Sequence, residues 1–198
     1  GHLPLSAIED AARLSALRGM MPSYARVHVG SVESEADSAH RADEARTNAG
    51  VNGSGQKICA LSDSYDNADV AITAADDVQS GDLPGAGNPE GNTTPVDVLD
   101  DFAGGGGNDP TDEGRAMLQL IHDIAPGAEL GFHTAFRGLS DFANGIRELS
   151  DAGCTVIVDD VGFFVEPFYQ DGPVSTAVND VVNDDGAVYF SSAGNSAR

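Results

Sequence analysis

The chain has 198 residues, of which 32 are acidic and 10 are basic, so its formal net charge is −22. This length suits one domain with a substantial core. The strongly acidic balance excludes binding to nucleic acid or to anionic membranes, because both need basic patches. No apolar run reaches the roughly eighteen residues of a membrane-spanning helix.

The acidic surplus has three interpretations that composition leaves open. A solvated acidic surface would aid solubility. Adaptation to high salt is the second, because screening removes the repulsion between like charges. The third is bound calcium, which takes carboxylate ligands. No cofactor is expected to be required, so Ca²⁺ is considered only as a structural ion, and no metal-binding residues are predicted.

The first 50 residues are predicted to form an N-terminal extension, separate from a main unit at 51–198. Apolar residues recur at helical spacing over 5–18, which predicts an amphipathic helix. Residues 24–32 alternate loosely and predict a strand. A further short helix is predicted at 38–46.

From residue 57 onward the pattern alternates between strands and helices. Strands are predicted at 57–62, 96–99, 129–135, 155–158 and 187–191, and helices at 111–125, 140–152 and 174–183. Ser140 is a candidate N-cap for the second of these helices. The alternation predicts an α/β fold with a doubly wound, mainly parallel sheet and helices on both faces. In such sheets, functional sites form at the carboxyl ends of the strands.

The two cysteines, Cys59 and Cys154, each lie at or near the start of a predicted buried strand. Neither has the spacing of a metal site. Free cysteines are among the residues most often buried in apolar surroundings. We therefore expect two buried free thiols rather than a disulfide.

Three short segments carry a resemblance to a known family. The sequence ICALSDSYD at 58–66 is an apolar strand that ends in Asp-Ser, DEGRAMLQLIHDIAP at 112–126 is a helix that runs into Ala-Pro, and VYFSSAGNS at 188–196 is a strand followed by a loop. In this order they resemble the aspartate strand, the helix after the catalytic base and the oxyanion loop of subtilases, the subtilisin-like serine peptidases. The resemblance covers roughly residues 50–198.

The resemblance implies roles for individual residues. Asp63 falls on the catalytic aspartate, and Asn195 falls on the donor to the tetrahedral oxyanion. Losing such a donor costs about 3–4 kcal/mol of transition-state stabilisation. The strand VIVDDVG at 156–162 resembles the wall of the substrate pocket. The substrate-pocket residues implied in this way are Asp160, Val161, Gly162, Ala193 and Gly194.

The catalytic histidine of subtilases is replaced in this chain. Counting back from Ala125-Pro126 places Glu113 on its position. The sedolisins, acid-acting relatives of the subtilases, also carry a glutamate there, but their aspartate one turn later is Met117 here. The resemblance therefore implies a subtilase-like domain with a sedolisin-like base. An adjacent Asp63 would raise the upper apparent pKa of the pair, which predicts activity at acidic to mildly acidic pH.

The family's Gly-Thr-Ser motif, which carries the nucleophile, does not occur in this sequence. None of Ser62, Ser64, Ser191, Ser192 and Ser196 stands in the matching place of the pattern. The domain is thus expected to be incomplete at its C-terminus and inactive alone. The expected partners are a peptide or protein substrate and the remaining C-terminal part of the same domain. Residues 5–32 are either the last pieces of a propeptide or a plain extension packed on the core.

Two functions remain open from the sequence. The first is a serine-type endopeptidase that is secreted or held at the cell surface. The alternative is a non-catalytic, subtilase-like binding module of a larger secreted protein. Adjacent carboxylates at Asp159 and Asp160 would favour basic side chains or a cation, but solvation or a structural hydrogen bond is expected first. His122 and His133 are expected to be structural.

Overall fold

The structure is a computed structural model that describes residues 7–14 and 34–193. Its helices are α1 (Ile8–Ala12), α2 (Glu35–Ala39), α3 (Ala42–Ala49), α4 (Ala74–Ser80), α5 (Glu113–Ile124), α6 (Leu139–Asp151) and α7 (Pro173–Asn183). Its strands are β1 (Lys57–Ser62), β2 (Asp97–Asp100), β3 (Glu129–Thr134), β4 (Val156–Asp159) and β5 (Val188–Ser191).

The five strands form one parallel sheet in the order β2-β3-β1-β4-β5. A helix lies between each pair of consecutive strands along the chain, as parallel connections require. The predicted α/β class with a parallel sheet is confirmed. Because all strands run in one direction, the carboxyl ends of β1, β4 and β5 meet at one edge of the sheet.

The two faces of the sheet carry separate apolar clusters, as the alternation of side chains along a strand requires. On one face, Cys59 and Leu61 of β1 pack with α6 and α7. On the other face, Ala60 packs with Leu118 of α5 and Phe132 of β3. Helices therefore cover both faces, as predicted.

Helix α5 approaches the sheet unusually closely at Gly114. A Cβ at this position would overlap the ring of Phe132 and would lie 2.8 Å from the carbonyl oxygen of Ser64. Only glycine allows this approach. The start of α5 is thus held against the carboxyl end of β1.

Several element boundaries differ from the predictions. The helix expected at 38–46 is two helices, α2 and α3, and α4 was not predicted at all, although Thr73 and Asp76 form a capping box at its start. The N-cap of α6 is Gly138 rather than Ser140. The described part of the helix predicted at 5–18 contains α1, which is shorter than predicted. The two ends of that predicted helix and the strand predicted at 24–32 lie outside the described residues.

The prediction of two free thiols is wrong, because Cys59 and Cys154 form a disulfide. Their Cα atoms lie 5.9 Å apart, within the usual range for a bridge. The pairing of β1 with β4 sets Cys59 opposite Ile157, and Cys154 lies just before β4. Sequence spacing does not show this proximity, since 95 positions separate the two cysteines.

Residues 34–50 of the N-terminal extension pack against α5. The Arg46 guanidinium donates to the Asp37 carboxylate at 2.6 and 3.0 Å, and to the carbonyl oxygens of Asp123 and Ile124 at 3.1 and 2.9 Å. A cation is favourable there because it faces the negative end of the helix dipole. The division between residues 50 and 51 stays a prediction. Among the described helices, none combines the length and the apolar composition of a membrane-spanning segment.

Candidate functional site

Asp63 follows β1 directly, and its carboxylate binds the start of α5. One oxygen accepts from the backbone N–H groups of Ser64 at 2.5 Å and Glu113 at 2.9 Å, and the other accepts from the N–H and hydroxyl of Thr111 at 2.5 and 2.6 Å. Burial alone would raise the pKa of Asp63, but these hydrogen bonds outweigh it and lower the pKa. Asp63 is therefore held as an anion at the positive end of the helix.

Glu113 is the first residue of α5, and its carboxylate lies over the end of β1. Its Oε2 accepts a hydrogen bond of 2.7 Å from the Ser62 hydroxyl. Ser62 is fully buried, whereas Glu113 is exposed. The arrangement is a solvent-accessible carboxylate oriented by a buried donor. The structure thus brings Asp63 and Glu113 together through the backbone of Glu113.

A second polar group supports the same helix start. The Ser64 hydroxyl donates to Asp112 Oδ1 at 2.9 Å, and Asp112 accepts the backbone N–H groups of Asn67 and Ala68 at 2.8 and 3.0 Å. Asp112 itself has the left-handed conformation, with φ of 56°. This side chain fixes the loop after β1 against the turn into α5, so the positions of Asp63 and Glu113 depend on it.

The predicted pocket residues lie at the same edge of the sheet as far as the structure describes them. Asp160 and Gly162 are exposed after β4, and Val161 is half-buried. Ala193 is exposed after β5, the neighbouring strand. Gly194 and Asn195 lie outside the described residues, so the oxyanion role of Asn195 stays a prediction.

Asp159, unlike its neighbour, is buried at the end of β4. Its carboxylate accepts from the Tyr189 hydroxyl at 2.7 Å and from the Ser191 hydroxyl at 2.9 Å. Burial raises the pKa of Asp159, although these two hydrogen bonds act in the opposite direction. The structural hydrogen bonds expected first are thus present at Asp159, and the solvation expected first is found at Asp160.

Sequence reasoning missed the residues that orient this site. Ser62 and Thr111 bind the two carboxylates across 51 and 48 residues of chain. The only signal in the sequence is their position beside Asp63 and Glu113, one at the end of a strand and the other just before a helix. Such adjacency marks polar groups that share a sheet edge, but it does not show which of them pair.

A cluster with metal-ligating atoms was also not predicted. Donor atoms of Asp100, His133 and Asp141 lie within 4.8 Å of one another. However, the Arg137 guanidinium already binds both oxygens of Asp100, at 2.6 and 3.0 Å. This cation supplies the positive charge that the cluster needs.

Comparisons with known proteins support the fold. No family model and no curated protein matches the chain. Among solved structures it resembles MycP1 with the N-terminal propeptide removed, with a TM-score of 0.55 at 18% identity over 82% of this chain and 50% of that chain. It also resembles MycP1 from the ESX-1 type VII secretion system, with a TM-score of 0.53 at 18% identity over 90% and 49% of the two chains. A third is MycP1 from Mycobacterium smegmatis, with a TM-score of 0.50 at 16% identity over 82% and 45%.

These neighbours are subtilisin-like serine proteases. At such low identity the likeness shows a shared fold, so the subtilisin-like architecture predicted from the sequence is confirmed. This chain spans about half the length of the structures that it matches. The likeness therefore does not extend to activity, substrate or the completeness of the domain.

Proposed function

We propose that the chain is the N-terminal part of a serine-type endopeptidase domain of subtilase–sedolisin type, with Glu113 as the general base. The observation that carries the proposal is the junction of β1 and α5. There, an accessible carboxylate at Glu113 is oriented by Ser62, and its backbone is held by Asp63. A candidate base that is oriented by another polar group is the arrangement that nucleophilic catalysis needs.

The chemistry assigns different tasks to the two carboxylates. Glu113 would take the proton of the attacking serine, which it can do only while ionised. Asp63 would act as a positioning residue, because its charge is already matched by four hydrogen bonds. The Asn195 side chain would then donate to the oxyanion. The mechanism requires no cofactor, and Ca²⁺ would serve only as a structural ion.

The nucleophile would come from outside these 198 residues, as part of the same domain. The peptide substrate would lie along the sheet edge between the loops that follow β4 and β5. An extracellular or cell-surface location is supported by the Cys59–Cys154 disulfide, since such bonds persist mainly in oxidising compartments. The net charge of −22 argues against nucleic acid or membrane partners.

The test is casein hydrolysis by the protein extended to include its serine motif. Replacing Glu113→Ala should lower the rate by about 10²–10⁴-fold, the usual contribution of a general base. Glu129→Ala is the matched control, because Glu129 is exposed at the opposite end of a strand. Equal activity of the Glu113 variant and the wild type would remove Glu113 from the mechanism. A folded extended wild type that hydrolyses nothing would favour the binding module.

A further inference from the structure

A cavity of about 400 Å³ lies between α6, α7 and the carboxyl ends of β4 and β5. Its size is in the range of pockets that hold small ligands or side chains. Val161, one of the predicted substrate-pocket residues, contributes to its wall. The cavity thus adjoins the edge where the substrate is proposed to bind, and residues of the loop that follows β4 also line it.

Part of the lining of this cavity is apolar. The rings of Phe142 and Phe163 stack at a centroid distance of 5.4 Å, and Val174 and Val178 of α7 lie beside them. These groups offer no ligand atoms to an ion. They suit an aliphatic chain or the flat face of a guanidinium.

The lining also includes three carboxylates, from Asp159, Glu166 and the exposed Asp171. Asp159 is only 3% exposed and is bound by neutral donors. Within residues 7–14 and 34–193, none of the ion pairs includes any of the three. A carboxylate in a low-dielectric pocket without a cation is costly, so the cavity favours a positive ligand.

Glu166 shows where that ligand would bind. Its Oε1 accepts the N–H groups of Val174 and Ser175, each at 3.0 Å, at the start of α7. Its Oε2 is buried and has no hydrogen-bond partner among the residues that the structure describes. A buried charged oxygen with all its capacity unused is an acceptor for a donor supplied from outside the chain.

A bare metal ion fits this cavity poorly. Calcium takes six to eight oxygen ligands at about 2.3–2.6 Å, whereas half of this wall is aromatic or aliphatic. An amphipathic organic cation suits this mixed lining, because its apolar stem would cover the rings and valines while its charged head reaches the carboxylates. Arginine is the better match of the two basic side chains, since its planar fork pairs with carboxylates.

We propose that this cavity binds the arginine or lysine side chain of a peptide that lies across the candidate active site. The proposal rests on the proposed function for its choice of a peptide as the ligand. It names a substrate class for that site: polypeptides with a basic residue near the cleaved bond.

The experiment measures peptide binding to the 198-residue chain, so that it does not depend on catalysis. Two blocked alanine-based hexapeptides are compared by calorimetry, one with a central arginine and the other with citrulline, which has the same shape without the charge. The buffer contains about 0.3 M salt to screen non-specific attraction to the acidic chain. The arginine peptide should bind about tenfold more tightly, as expected for hydrogen bonds to a charged group. Equal affinities would overturn the proposal.

Matched variants locate the binding. Glu166→Gln should abolish the preference for arginine, whereas Glu129→Gln, which removes the same charge from the far edge of the sheet, should preserve it. If Glu166→Gln unfolds α7, as circular dichroism would report, Asp159→Asn replaces it in the test. An equal loss in the Glu129 variant would overturn the proposal.

A further measurement distinguishes a peptide side chain from a free small cation as the ligand. Free ethylguanidinium should bind more weakly than the arginine peptide by at least about tenfold if peptide contacts contribute. Equal affinity would contradict a peptide ligand. Specific binding of the arginine peptide without casein hydrolysis by the extended protein would defeat the proposed activity and leave the cavity assignment intact.

Discussion

At the scale of single residues, the candidate site contains two neighbouring carboxylates that lie in different environments. Asp63 is buried and bound by four donors, whereas Glu113 is exposed and bound by one hydroxyl. The same chemical group can therefore hold a backbone in one place and remain available to a substrate in another. This division of tasks follows from environment rather than from residue type.

The lowered pKa of Asp63 predicts how stability depends on pH. A carboxylate with a depressed folded-state pKa stabilises the fold above its unfolded value, near 3.8, and this contribution is lost as the pH falls through the folded value. Asp63→Asn should therefore unfold at lower urea concentration than the wild type at pH 6. The difference between the two proteins should shrink steadily below about pH 4.

The pKa of Asp159 is shifted in the opposite direction, so Asp159 serves as the control for this measurement. Its raised pKa means that its contribution is present below the unfolded value and is lost as the pH rises through the folded value. The difference between Asp159→Asn and the wild type should therefore change in the other direction over the same pH range. A pH-independent difference for Asp63→Asn would show that its hydrogen bonds do not favour the ionised form.

The residues of the site were predictable only in part. Asp63 and Glu113 could be found because each stands next to a regular element, and the order of those elements resembles a known family. Ser62 and Thr111 could not be assigned, since their bonds to the carboxylates form only after β1 and α5 have been brought together. Arg115, which the family pattern does not mark, was missed for the same reason.

At the scale of elements, Arg115 links α5 to α4 and to the loop after β1. Its guanidinium lies 2.5 Å from Asp66, 3.2 Å from Asp77 and 3.3 Å from Asp112, and the side chain is only 9% exposed. Burial raises the pKa of Asp77, while Arg115 acts to lower it. One cation thus balances several carboxylates near the start of α5.

Removing this cation should be strongly destabilising. Arg115→Met leaves buried carboxylates unpaired and should lower the free energy of unfolding by about 3–5 kcal/mol at neutral pH. Arg41→Met is the control, because Arg41 pairs with Glu44 on the surface, where its side chain is 73% exposed; it should lower the free energy of unfolding far less than Arg115→Met does, since exposed ion pairs contribute little. Urea unfolding of both variants measures the difference. Similar costs would mean that the buried network contributes no more than a surface pair.

The elements themselves were predicted better than the contacts between them. Periodicity located β1, α5, β3, α6, β4, α7 and β5 within a few residues, because long apolar patterns report burial on a face. Helix α4 was missed because it lies in a polar stretch, where its capping box is the only signal. The pairing of Cys59 with Cys154 depends on which strands become neighbours, and spacing alone does not decide that.

At the scale of the whole molecule, two features have opposite effects on the stability of the fold. A net charge of −22 destabilises the compact state through self-repulsion. The Cys59–Cys154 disulfide restricts the unfolded chain and so opposes this effect. The bridge joins the central strand to the segment before β4, and it closes a loop that spans 95 positions and contains α4, α5 and α6.

Reduction of this disulfide should therefore cost much of the stability. For a loop of about this length, the chain-entropy estimate is about 4–5 kcal/mol, which compares with a total of about 5–15 kcal/mol for a typical domain. Urea unfolding with and without a phosphine reductant measures this change in stability in one protein, without any substitution. The double variant Cys59→Ala/Cys154→Ala should be insensitive to the reductant. Alkylation of two thiols in the folded, unreduced chain would instead restore the original expectation of free cysteines and remove the support that the bridge gives to an oxidising compartment.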